Sequence, residues 1–183
     1  ARMRGITPPQ LDKPLRVPYS GPLIHTPPPE PRSFPSELLL EEGLKEEDYI
    51  KAFLGEFGAD IGKPVVFRDK IGEPIIISDD LFRTSSGKLK VSRRMRHRYM
   101  LLLAKALKDP DEILWLWEEY PKGRMTLTRR YLTRWNGDDK NSGGFLLFDI
   151  GNSGWRGVTA FPAEKENYLV NQRVGTLAYR REK

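Results

Sequence analysis

Arginine and lysine carry most of the chemistry open to this sequence. From Arg83 to Arg98 stand seven basic residues (Arg83, Lys88, Lys90, Arg93, Arg94, Arg96, Arg98), with His97 and no acid. A second acid-free run, Lys122 to Arg134, holds Lys122, Arg124, Arg129, Arg130 and Arg134. Such clusters attract polyanions, although a solvated helix face and a charged strand edge would look the same. The total of 31 basic against 25 acidic residues is +6. There is no cysteine, which excludes disulfides, thiolate nucleophiles and cysteine zinc sites. Two histidines, His25 and His97, cannot build a histidine metal motif. No metal and no cofactor is therefore expected. His97 stays as an acid–base candidate, and the arginines around it would favour its neutral, basic form.

These residues must be positioned by 183 residues, enough for one ordinary domain and an appendage. No apolar run is long enough to cross a membrane, and no signal peptide is visible. A chain opening on alanine reads as a piece of something longer. Residues 1–36 hold ten of the 15 prolines. Proline fixes φ and donates no backbone hydrogen bond, so this stretch reads as an extended linker or an arm lying on a neighbour. A helix is expected over Glu46–Phe57, with Tyr49, Ile50, Phe53, Leu54 and Phe57 in one stripe and Gly58 as its stop. Val65–Phe67 and Pro74–Ser78 read as a hairpin. Ser92 would cap a second helix, Arg93–Lys108, with Arg94, His97 and Arg98 on its outer side. Ile113–Trp117 reads as a strand buried on both faces, so Trp115 and Trp117 are expected in the core. In Arg124–Trp135, Met125, Leu127, Tyr131 and Trp135 share one face, and Thr126, Thr128, Arg130 and Arg134 the other. Phe145–Ile150, Trp155–Phe161 and Gly175–Arg181 are further strands, with a short helix at Glu164–Arg173. Helices followed by strands predict an α+β fold with an antiparallel sheet.

Several stretches of the chain resemble a known family: Leu81-Phe-Arg, Gly87-Lys-Leu-Lys-Val, Leu107-Lys-Asp-Pro-Asp-Glu-Ile, Trp115-Leu-Trp-Glu, Arg129-Arg-Tyr-Leu, Gly157-Val-Thr-Ala-Phe, Asn171-Gln-Arg and Tyr179-Arg-Arg. They are similar to the phage-associated barnase/EndoU/colicin/RelE-like nuclease domains, found at the C-termini of Mu-type phage head-morphogenesis proteins and of polymorphic and contact-dependent inhibition toxins. The resemblance spans roughly Glu46–Lys183. It implies a barnase-like domain, residues 46–183, with helices packed on a curved antiparallel sheet behind a Pro-rich arm, residues 1–45. It also implies metal-independent cleavage of RNA, often tRNA, in the bacterial cytoplasm, and an acidic immunity protein as a possible partner.

Metal-free RNA cleavage uses the 2′-OH as nucleophile. The protein must then supply a base, an acid and cations for the phosphorane charge. Arg130 is the first candidate for a phosphate clamp, because it would face the open side of the sheet if the helix covers the other; an ordinary exposed arginine is the plain alternative. Glu118, ending a buried strand, could be the base, and so could His97. Thr159 and Thr128 could donate to phosphate. Lys88, Lys90, Arg93, Arg94 and Arg98 would form an electrostatic funnel. Trp155, and less readily Tyr179 with Arg180, could stack and hold a nucleotide. A non-catalytic nucleic-acid-binding or capsid-associated module, or a scaffolding domain, would show the same basic patches.

Overall fold

The computed structural model describes residues 15–16, 26–84, 86–91, 96–120, 123–136, 144–151, 154–160 and 173–182. The fold is α+β. Helix α1 spans Glu46–Gly55 and helix α2 spans Met100–Lys108. The strands are β1 (Leu15–Arg16), β2 (Val65–Arg68), β3 (Pro74–Ile77), β4 (Glu112–Tyr120), β5 (Arg124–Trp135), β6 (Gly144–Gly151), β7 (Gly154–Ala160) and β8 (Thr176–Arg180). The main sheet runs β1-β4-β5-β6-β7, and β8 also pairs with β4; β2 and β3 form a separate hairpin. All these strand pairs are antiparallel.

The expected apolar stripe builds α1. Tyr49, Ile50, Phe53 and Leu54 are buried, and Glu46, Glu47 and Asp48 place negative charge at the positive end of the helix dipole. The helix ends two residues before Phe57, and Gly58 follows in the left-handed region at φ 75°. Helix α2 buries Met100, Leu102, Leu103, Ala104, Ala106 and Leu107. Each large apolar side chain buried contributes roughly 1.5–3 kcal/mol, against about 0.3–1 kcal/mol for charges at the helix ends, so burial rather than capping holds the helices. Helix α2 packs on the sheet face that carries Ile113, Tyr131 and Trp135, and α1 packs against α2 in the same core.

The second helix departs from expectation at its start. Residues 92–95 lie outside the described residues, and Arg96–Tyr99 forms a 3-10 turn before α2 begins. His97, in that turn, is covered by Glu42 and Tyr49 rather than lying on the expected outer side. It is 8% exposed.

The crossover into β8 depends on one glycine. Gly175 has φ 91°, and a Cβ there would collide with the carbonyl oxygen of Trp115 and lie 2.9 Å from Leu116 Cδ2. Gly175→Ala should cost about 3 kcal/mol or more, since it adds positive-φ strain to an overpacked contact. A urea midpoint close to that of the parent chain would show that the crossover does not need this close approach.

Candidate active site

Strand register sorts the chemistry-bearing residues onto two faces of the sheet. Arg130 stands opposite Leu114 on one side and Asp149 on the other, and Asp149 stands opposite Arg156. Leu114 in turn pairs with Leu177. Thr128 is two residues from Arg130 on the same strand, and the Glu118–Thr126 pair is four residues along, so all are in phase. Glu118 lies about 13 Å along the strand from the Arg130 row, at 3.3 Å per residue. The other face carries Ile113, Trp115, Tyr131 and Trp135. In its phase fall Arg129, Ile150 and Trp155 in one row, and Thr133, Leu146 and Thr159 in another. Arg130, Glu118 and Thr128 are thus brought into one phase, and Thr159 and Trp155 are out of phase with them.

The Arg130 face is covered rather than open, which corrects the expectation that Arg130 faces solvent. Arg130 is 5% exposed and Thr128 1%. Val174 packs with Leu114 and Leu116 on this face. Beside Arg130, diagonally across the strands, lies Glu112, fully buried on the row of Leu132. Arg173 binds Glu112 with both arms of its fork: Nε donates to Oε1 at 2.7 Å and Nη2 to Oε2 at 2.8 Å. The same guanidinium donates to the carbonyls of Thr26 and Pro27 at 2.9 and 3.2 Å. Arg134 donates to the carbonyl of Pro29 at 2.9 Å. A polyproline backbone makes no internal hydrogen bonds, so its carbonyls are free for such donors. The described part of the arm is therefore gripped by arginines. Arg32 adds ion pairs to Asp109 at 2.7 Å and Asp111 at 3.1 Å.

Arg180 reaches Glu112 at 3.7 Å, and Tyr179 packs against the main core. Both serve the packing of the last strand. Glu112 and Arg173 were missed from sequence.

The basic run 83–98 does not converge with Arg130. Its loop belongs to the helix side of the sheet, where Phe82 and Val91 enter the main core. Arg83 pairs with Asp79 at 2.6 Å. Arg98 donates to the carbonyl of Leu40 at 2.9 Å and lies 3.8 Å from Glu42. His97 Nε2 is 2.8 Å from a Glu42 carboxylate oxygen, and its ring meets Tyr49 edge-on at 5.1 Å. Among the described residues, His97 thus meets a carboxylate. Lys88 and Lys90 are exposed, while Arg93 and Arg94 lie outside the described residues. Trp117 is 42% exposed, correcting its assignment to the core; Trp115 is half-buried. Among the described residues, no group of three His, Asp or Glu could hold a metal ion.

Asp79 shows how strongly the basic loop is anchored. Its carboxylate accepts the Gly62 N–H at 2.8 Å and Arg83 Nε at 2.8 Å. The Gly62 hydrogen bond, aided by Arg83 and opposed by burial, holds Asp79 below the ordinary carboxylate value. A depressed carboxyl stabilises the fold above its unfolded pKa of about 3.9, and that contribution is lost as pH falls through the lower folded value. Asp79→Asn should therefore destabilise at pH 7, with an effect that shrinks below pH about 4. Urea midpoints at pH 3 and pH 7 check the sign.

The family model described as phage-Barnase-EndoU-ColicinE5/D-RelE like nuclease2 matches residues 52–180. No curated protein matches the chain, and no solved structure matches it.

Proposed function

Since the chain belongs to the phage Barnase-EndoU-ColicinE5/D-RelE-like nuclease 2 family and holds its nuclease domain, we propose that it cleaves RNA by attack of the 2′-OH on the neighbouring phosphate, without a metal. The observation that carries this reading is the phase of the Arg130 face. It aligns Glu118, Thr126, Thr128, Arg130, Asp149 and Arg156 across four strands. The reaction needs a base, an acid and cations, and this face supplies two carboxylates and two arginines. Arg130 binds the phosphate and takes up the charge of the phosphorane, and Arg156 stands in the same cross-strand row two strands away. Asp149, in the row of Arg130, is the first carboxylate for proton transfer at that phosphate, and Glu118, about 13 Å along the strand, is the second candidate. A guanidinium withdrawn from water acts more strongly on a phosphate that reaches it, because fewer waters screen the pair. The Glu112–Arg173 pair holds the crossover in place next to Arg130.

The substrate class proposed is tRNA or another structured RNA, and the place of action the bacterial cytoplasm. An acidic protein that plugs the cationic face would neutralise the activity. Incubating the intact chain with total tRNA in EDTA tests the reading: cleavage should proceed, and Arg130→Ala and Glu118→Ala should each suppress it. Intact tRNA under all conditions would defeat it in favour of a non-catalytic nucleic-acid-binding module.

A further inference from the structure

The opposite face of the sheet carries a second feature that catalysis does not use. Trp115 and Arg129 are direct cross-strand partners on β4 and β5. Trp115 Nε1 and Arg129 Nη1 are buried donors with no hydrogen-bond acceptor. The Glu73 carboxylate stands 3.8 Å from Arg129, beyond hydrogen-bond length. Buried donors are normally satisfied, so two unsatisfied ones side by side call for an explanation. Trp135 Nε1 and Thr133 Oγ1 also lack acceptors, but they are sealed in the core at 2% and 0% exposure. Trp115 and Arg129 sit at the edge of that core. One row further out on the same face, Trp117 is 42% exposed opposite half-buried Leu127, and Met125, a row beyond, is 39% exposed. On the inner side of the Trp115–Arg129 row the β2–β3 turn is tied down by Tyr131 Oη donating to Asp69 at 2.6 Å.

We propose that Trp115, Arg129 and Trp117 form a nucleotide-binding subsite for single-stranded nucleic acid, on the face of the sheet opposite Arg130. The two unsatisfied donors take an acceptor of the nucleotide, a phosphate oxygen or a base carbonyl, and the exposed indole of Trp117 stacks a base. An exposed aromatic next to a cation is the combination that holds single strands with little sequence preference. Trp117 and Glu118 are consecutive on β4 and so belong to opposite faces. The choice of nucleic acid as ligand rests on the nuclease reading; the geometry of the subsite does not.

Binding of a fluorescein-labelled single-stranded deoxyhexanucleotide to the intact chain tests the subsite. The deoxy strand has no 2′-OH and measures binding without turnover. Trp117→Ala and Arg129→Met should each weaken binding by roughly 5- to 150-fold, the range measured for losing one stacked base. Trp117→Phe should recover most of the loss, and Glu73→Gln should tighten binding by removing a negative charge next to the phosphate. The indole N–H resonance of Trp115, assigned through Trp115→Phe, should move on titration. Trp117 is exposed, so its alanine variant keeps the test available even if Arg129→Met folds poorly. Equal affinity in the parent and Trp117→Ala chains, or a Trp115 resonance that does not move, would overturn the proposal. So would displacement of the strand by a hexaglutamate peptide at equal concentration, which would reassign the surface to an acidic protein partner. If the chain cleaves no RNA yet binds the deoxy strand through Trp117, the subsite stands and the catalytic reading falls. If it cleaves RNA with unchanged strand binding in both variants, the reverse holds.

Discussion

Replacing Arg173 by alanine is expected to cost about 3–5 kcal/mol of folding stability, the usual effect of removing one partner of a buried ion pair. That is a large share of the roughly 5–15 kcal/mol that holds a domain together. Glu112 would be left as a fully buried carboxylate whose other cation, Arg180, is 3.7 Å away and a third exposed at its side chain. The carbonyls of Thr26 and Pro27 would lose their donor at the same time. Two consequences follow from one substitution. The urea midpoint falls, and the arm becomes more sensitive to protease near Thr26. The double variant Glu112→Leu with Arg173→Met should recover most of the loss, because no buried charge is left uncompensated. The cycle built from the two single variants and the double gives the coupling directly. A cost below about 1 kcal/mol for Arg173→Ala would mean that the pair is not sealed from water.

The parts of this structure legible in the sequence are those set by local periodicity. The stripe Tyr49, Ile50, Phe53, Leu54 specifies α1, and the period-two alternation of Arg124–Trp135 specifies β5 with its two faces correctly assigned. What was not legible depends on partners distant in the chain. Arg173 and Glu112 are 61 residues apart, and no spacing rule links them. The run Ile113–Trp117 is apolar at every position, so it contains no alternation from which the exposure of Trp117 could be read. That exposure is set by what packs over the strand, which the run itself does not specify. The phase of Trp155 and Thr159 relative to Arg130 depends on the registers of β6 against β5 and of β7 against β6, which composition does not fix. His97 was misplaced because the residues that cover it, Glu42 and Tyr49, come from a distant part of the chain.

Arg130→Ala is expected to lower the rate of RNA cleavage by about 10²–10³-fold, the loss seen when one group that stabilises transition-state charge is removed. The argument separates charge from geometry. Arginine stays protonated and binds two phosphate oxygens in a plane, whereas lysine offers a point charge. Arg130→Lys should therefore bind RNA nearly as well as the parent chain and cleave it more slowly, with the deficit in kcat rather than KM. If Arg130 only held the fold together, both substitutions would act through stability, and the rate per folded molecule would not change. Thermal melts run beside the kinetics distinguish the two cases, which matters for a side chain only 5% exposed. Exposed Lys88 and Lys90 lie on the helix side, in a loop braced by the Arg83–Asp79 pair, so their alanine variants should leave kcat unchanged. A kcat that falls as far in those variants as in Arg130→Ala would move the reaction to the opposite face of the sheet, and Arg130 would then be a structural arginine of the covered side.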